Sequence, residues 1–132
     1  MLFRSTRRDN LEGVLAKIKA APSDAIFVNS ESELRPLVKQ IVEFATSNKL
    51  PSAVGYADQV TAGGLLAYVP NYDDIKRRAA TYVDKIFRGE KAGDLPIEQP
   101  TRIELWVNAR TAKTLGLNIP PTIAIRIDKL VQ

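Results

Sequence analysis

Asn29-Ser30 and Gly55-Tyr56 are the best-placed side chains for chemistry in this 132-residue sequence, because each pair closes a short apolar run that reads as a strand. In open parallel sheets, ligands bind beyond the carboxyl ends of the strands. An amide, a hydroxyl and an aromatic ring with a polar tip suit recognition of a small polar or zwitterionic molecule there. They do not suit covalent catalysis. A plainer account, loop capping beside a half-exposed tyrosine, fits the same residues equally well.

Other candidates weaken on inspection. Gly63-Gly64 lacks the GxGxxG or GxxxxGK[ST] surroundings of a phosphate loop and reads as a turn. Asp73-Asp74 opens a helical stretch, where the macrodipole already favours acids. Asp58, Glu98 and Glu104 have no spacing that implies paired acid–base work. Nineteen Lys and Arg against fifteen Asp and Glu give a net charge of +4, and Arg7-Arg8 and Lys76-Arg77-Arg78 are locally basic. Acids interleave at Asp9, Asp73, Asp74 and Asp84, and Asp73/Arg77 and Asp74/Arg78 stand at i,i+4, the pattern of a solvated helix face. A nucleic-acid partner is therefore not expected. With no Cys and no His, disulfides, thiolate metal sites, imidazole bases and Ser-His-Asp triads are excluded. No metal or cofactor is expected, and the chain reads as a non-enzyme.

The elements that position these residues follow from hydrophobic periodicity. Asp9 and Glu12 have capping-box spacing before Leu11, Val14, Leu15 and Ile18, a helix stopped by Ala21-Pro22. Ala25–Val28 is a non-alternating apolar run and predicts a strand buried on both faces. Ser30 and Glu33 repeat the capping signature before the stripe Leu34, Leu37, Val38, Ile41, Val42 and Ala45. Leu50–Tyr56 and Leu65–Val69 predict two more strands. Asn71 is placed to cap a long helix carrying Ile75, Ala79, Tyr82, Val83 and Ile86, with Gly89 at its carboxyl end. Residues 89–101 read as an extended connector, Ile103–Val107 as a fourth strand, and Asn108 to Gly116 as a short capped helix. The tail after Pro120-Pro121 fits a strand through Ile123, Ile125 and Ile127, or a helix through Ile123, Ile127, Leu130 and Val131. The proline pair favours the helix.

No window of about 18 apolar residues is present to span a bilayer. Met1–Asn10 has Arg4, Arg7 and Arg8 around the lone apolar pair Leu2-Phe3, without the apolar stretch of roughly 7–15 residues that a secretory signal needs. A cytoplasmic location is expected if Met1 is the native start.

The stretch AGGLLAYVPNYDDIKRRAATYVDKI (62–86), together with DLPIEQPTRIELWVNARTAKTLGLNIPP (94–121), resembles the C-terminal part of the ABC-transporter substrate-binding proteins that include tryptophan- and aromatic-amino-acid-binding members. The resemblance runs over essentially the whole chain and covers less than half of a full family member. It implies an α/β fold, a parallel-sheet Rossmann-like lobe of a type-I periplasmic-binding-protein fold, with most of the first lobe missing. Residues 1–66 and 101–132 would form the second lobe, and 67–100 would be a crossover strand, long helix and connector belonging to the first. It further implies a small amino-acid-like solute, an ABC permease as partner for an exported full-length protein, and a periplasmic location. Asn29, Ser30, Gly55 and Tyr56 would line the second-lobe face, with Tyr68 and Asn71 near the crossover. Where relatives often read GGLMSYGPN this chain reads GGLLAYVPN, so Ala67 removes a hydroxyl near the cleft and Val69 adds bulk where the backbone bends.

Without the first lobe, the apolar face of the helix from Asn71 to Gly89 would stay exposed, which single chains rarely tolerate. A homodimer through that helix is expected. The alternative function is then a dimeric interaction protein that binds no solute. A small α/β enzyme would need acids at the strand ends, where Asn29 and Gly55 stand.

Overall fold

The computed structural model describes residues 10–132. The first helix, α1 (Leu11–Ala20), buries Leu11 and Val14. The predicted cap Asp9 lies outside the described residues; Asn10 holds the N-cap position with no side-chain capping bond. Strand β1 (Ile26–Val28) follows. Ser30 does not open the next helix. A 3-10 segment, Ser32–Leu37, comes first, and α2 spans Val38–Ser47. Pro36 is the reason: it has no N–H for an i−4 carbonyl, so the α-type ladder settles only after it. Strand β2 is Ser52–Val54, and a short helix not predicted from sequence, α3 (Ala57–Thr61), buries Gln59 and Val60. Five residues are too few for a helical stripe to show.

Strand β3 (Leu66–Pro70) leads into α4 (Tyr72–Phe87). The predicted cap is present: Asn71 Oδ1 accepts from the Asp74 N–H at 2.8 Å. After the connector come β4 (Ile103–Asn108) and α5 (Ala109–Leu115), with Asn108 Oδ1 accepting from the Thr111 N–H at 2.9 Å. Gly89 and Gly116, at φ 100° and 72°, close α4 and α5 as predicted. The tail helix is corrected. Only α6 (Pro121–Ala124) forms, and Lys129–Val131 is a strand, β5. Asp128 explains the switch: its N–H donates to the Leu105 carbonyl at 3.0 Å and its Oδ2 accepts from the Leu105 N–H at 2.8 Å. That doubly bonded dock on β4 draws the chain into the sheet.

The sheet has the order β1-β2-β3-β4-β5. All neighbouring pairs are parallel except β3 and β4, whose register runs from Leu66 opposite Val107 to Pro70 opposite Ile103. The chain leaves along β3, forms α4, and returns along β4. The fold is thus an α/β lobe with a mostly parallel five-stranded sheet.

Strand alternation assigns the two sheet faces. Ile26, Val28, Val54, Ala67 and Val69 join Leu11, Val38, Ile41, Val42, Ala45 and Val60 in one buried cluster. Two expectations change here. β1 is not buried on both faces, since Phe27 is 74% exposed between two buried neighbours. Ala67 and Val69 are both buried in the core cluster, so their departures from the family pattern alter packing; Val69 also borders a cavity shared with Ser30 and Tyr72.

Helix α4 buries no residue. It is strapped to the connector instead. The Tyr82 hydroxyl donates to the Pro96 carbonyl at 2.6 Å, and the Arg78 guanidinium bonds Thr101 Oγ1 at 3.1 Å and the Glu98 carboxylate. Between them runs a trough of about 440 Å3 that includes Ile75, Ala79, Tyr82 and Leu95.

Candidate functional site

The carboxyl ends of β1 and β2 meet at Gly55. A Cβ there would lie 2.6 Å from the Ser30 nitrogen and 2.7 Å from its Cα, so only glycine lets the two strand ends come this close. The junction is tied on each side. Ser30 N–H donates to Asn29 Oδ1 at 2.8 Å, and Asn29 Nδ2 donates to Glu31 Oε1 at 3.3 Å. The Tyr56 hydroxyl donates to the Ser30 carbonyl at 2.8 Å, and its backbone N–H to Gln59 Oε1 at 3.2 Å. The Gln59 Nε2 is buried with no hydrogen-bond partner among the described residues.

Two aromatic rings and two opposite charges surround this junction. Tyr72, the first residue of α4, places its ring centroid 5.9 Å from that of Tyr56 with a 32° tilt, within the range for favourable aromatic pairs. The Arg35 guanidinium lies 4.9 Å from the Tyr56 ring centroid and pairs with Asp58 at 2.6 Å. The hydrogen bond and charge of Asp58 raise the Arg35 pKa further above its ordinary value, so the cation is permanent. Cation–π placement of this kind suits arginine, whose planar head stacks on a ring while its edges remain free to bond.

A cavity of about 320 Å3 opens beside the pair, with Phe27, Asn29, Ser30, Gly55, Tyr68 and Tyr72 in its wall. Of the residues predicted from sequence, Asn29, Ser30, Gly55 and Tyr68 therefore share one cavity, and Tyr56 braces its rim through Ser30 and Tyr72. Asn71 is not in the wall. Its Oδ1 caps α4 and its Nδ2 donates to Glu104 Oε1 at 2.6 Å. Sequence reasoning missed Arg35, Asp58, Phe27 and Tyr72. Arg35 and Asp58 are 23 positions apart, and no local pattern joins them. Tyr72 had a signal, as the first helical residue after the Asn71 cap.

No His or Cys exists in the chain to activate Ser30, and among the described residues no three acids, His or Cys are grouped to hold a metal ion. Among the described residues no helix is long and apolar enough to cross a membrane.

Residues 6–131 match the family model of the ABC transporter substrate binding proteins. No curated protein matches the chain. Among solved structures, a conserved domain protein from Vibrio cholerae superposes with a TM-score of 0.85 at 21% identity, covering 96% of this chain and 42% of that one. An ABC domain from Streptococcus pneumonia in complex with L-Trp gives 0.83 at 20% identity, over 93% of this chain and 42% of that one. A substrate binding protein with adhesive properties from Clostridium difficile, in a ligand-free, open structure, gives 0.72 at 20% identity, over 97% and 42%. The chain thus spans about two-fifths of each of these three structures.

Proposed function

Since the chain belongs to the ABC transporter substrate-binding protein family, we propose that it supplies one wall of a solute clamp serving an ABC permease outside the cytoplasm. In this reading the solute is a free amino acid with an aromatic or branched side chain, held at the carboxyl ends of β1 and β2. The observation that carries it is a chain of contacts, Asp58 to Arg35, Arg35 over the Tyr56 ring and Tyr56 against Tyr72, whose last ring lines a cavity of one-residue size. A zwitterion brings a carboxylate for the guanidinium and an ammonium for the Asp58 oxygens, and its side chain has ring faces to lie against. Asn29, Ser30 and Gly55 complete the wall, with Tyr68 at its far side; Asn71 belongs to the support. The protein binds and releases, and has no catalytic role.

In the same reading, residues 1–66 and 101–132 constitute the second lobe. Residues 67–100 cross over and return, their helix resting on the first lobe in full-length relatives. The absence of any buried α4 residue supports this assignment.

Half a clamp makes half the contacts, so affinity falls to about millimolar, near −4 kcal/mol. The test is a backbone-amide NMR titration with L-tryptophan, L-phenylalanine and L-leucine at millimolar concentration. Progressive shifts at Ser30, Gly55, Tyr56 and Tyr72 are expected. Shifts confined to other surfaces, or none with any of the three, would sink the assignment.

A second reading has its own observation. Val83, Ile86 and Phe87 on α4 are 49%, 43% and 86% exposed, and Ile97 in the connector is fully exposed. Apolar side chains so grouped gain about 25 cal/mol per Å2 on being covered, and two copies meeting through α4 would form a homodimer whether or not solute binds. Light scattering behind size exclusion would then give twice the 14.6 kDa of one chain; a single-chain mass at micromolar concentration rules the dimer out.

A further inference from the structure

Glu104 is an ionisable side chain only 6% exposed, and it is not part of the cavity wall. Its Oε1 accepts from Asn71 Nδ2 at 2.6 Å and lies 3.4 Å from the Arg102 guanidinium, while its Oε2 accepts from the Trp106 indole N–H at 3.1 Å. A buried carboxylate is tolerated when its oxygens are paired in this way, and removing one donor is costly. The donors are not scattered. Arg102, Glu104 and Trp106 lie along the entry to β4, and Asn71 is the single residue between the end of β3 and the start of α4. The Asn71 N–H also donates to the Arg102 carbonyl at 2.9 Å. The root of α4 is therefore tied to β4 by both backbone and side chain.

That tie matters because α4 buries nothing further along its length. Its direction is set at its root and by the connector strap. The first residue beyond the root is Tyr72, whose ring stands against Tyr56 at the solute wall. We propose that Glu104 is a positioning residue for this wall: by holding the Asn71 amide it fixes the angle at which α4 leaves the sheet, and so the place of the Tyr72 ring. The inference rests on the reading of the β1–β2 edge as a solute site and deepens it. Recognition geometry tolerates only about 10–20° of misorientation, and Tyr72 is attached directly to the tethered residue, so a loosened root reaches the wall undamped. Glu104 itself never meets solute.

The test uses Asn71→Asp, which keeps an acceptor to cap α4 but replaces the amide donor with a carboxylate facing Glu104. Glu104→Gln is the second single variant, and the double variant Asn71→Asp/Glu104→Gln reverses the polarity of the bond and restores it. Ring-to-ring NOEs between Tyr56 and Tyr72 report the wall, and the Trp106 indole N–H resonance reports the Glu104 carboxylate directly, since this is the only tryptophan in the chain. In Asn71→Asp the NOEs should weaken and the indole resonance move, with helical circular dichroism unchanged. In the double variant the NOEs should return, while the indole resonance stays displaced because its acceptor is now an amide oxygen. L-phenylalanine affinity should fall about twofold to tenfold in Asn71→Asp, the size of one aromatic contact, and recover in the double variant.

Parent-like Tyr56–Tyr72 NOEs in both single variants would overturn the proposal, as would their loss in Asn71→Asp without recovery in the double variant. If the NOEs follow the expected pattern while even the parent ignores every amino acid, the positioning of Tyr72 stands and the solute reading falls. Val42→Ala, a core change distant in kind, controls for general loosening: it should lower stability and leave the NOEs intact.

Discussion

Replacing Gly55 with alanine probes the joint on which the whole candidate site depends. The added Cβ would stand 2.6, 2.7 and 2.8 Å from the nitrogen, Cα and Cβ of Ser30, and two of those atoms are backbone. Ser30 cannot simply retreat, because Asn29 Oδ1 holds its N–H and the Tyr56 hydroxyl holds its carbonyl. The expected cost is that of overpacking, about 2–3 kcal/mol. For a chain of this length the unfolding entropy makes 1 kcal/mol worth about 3–4 °C, so the midpoint should fall by about 7–11 °C. Two companions separate clash from backbone conformation. Gly89 has open space around its Cβ position but φ of 100°, so alanine there should cost about 1–2 kcal/mol through backbone strain alone. Gly93 has neither obstacle, and alanine should be neutral or should stabilise by about 0.4–1 kcal/mol by restricting the unfolded chain. Thermal unfolding followed by circular dichroism ranks the three, and the Ser30 and Tyr56 amide resonances should move only in Gly55→Ala. A Gly55→Ala midpoint equal to that of Gly93→Ala, or above that of Gly89→Ala, would refute the close approach of β1 and β2 as the determinant of the site.

Arg35→Ala should leave stability within about 0.5 kcal/mol, because the ion pair with Asp58 is more than half exposed on both sides and such pairs contribute little; in the NMR titration it should weaken amino-acid binding several-fold, and an unchanged affinity would remove Arg35 from the site. Val42→Ala, at a position 1% exposed in the central cluster, deletes two buried methyl groups and should cost about 2 kcal/mol in urea unfolding. The Tyr82 phenol has its pKa raised above 10.0, first by desolvation and then by the nearby Glu98 charge. A raised pKa means that the folded state favours the protonated phenol. The stabilising contribution is therefore complete below pH 10 and is lost as pH rises through the raised value, when the hydroxyl can no longer donate to the Pro96 carbonyl. Phenolate absorbance should show Tyr82→Phe shortening the alkaline end of the titration, and amide resonances of the connector should move over the same range in the parent.

Much of the local structure is legible in the sequence, and so are the limits on chemistry. The caps at Asn71 and Asn108 and the terminators Gly89 and Gly116 stand where their side chains require, because capping depends on residues within one turn of the helix. The absence of Cys and His excludes thiol and imidazole chemistry whatever the fold. Asn29, Ser30 and Gly55 announce themselves by closing apolar runs. The resemblance carried by residues 62–86 and 94–121 also places the chain in its family before any coordinate is considered.

Tertiary structure decided the rest, because those outcomes depend on partners far away in sequence. Phe27 was expected to be buried and is exposed, since burial depends on whether another element covers that face. Ala67 and Val69 face the core because β3 takes its register from β2 and β4. The tail leaves its helix after one turn because Asp128 finds both bonding groups of Leu105, and the Asn71 amide is engaged by Glu104, 33 positions on. Arg35 and Asp58 meet over a ring neither adjoins in sequence. One-turn signals are short-range hydrogen bonds and survive in any context, whereas faces, register and charge pairing exist only once the sheet has assembled and excluded water from one side of it.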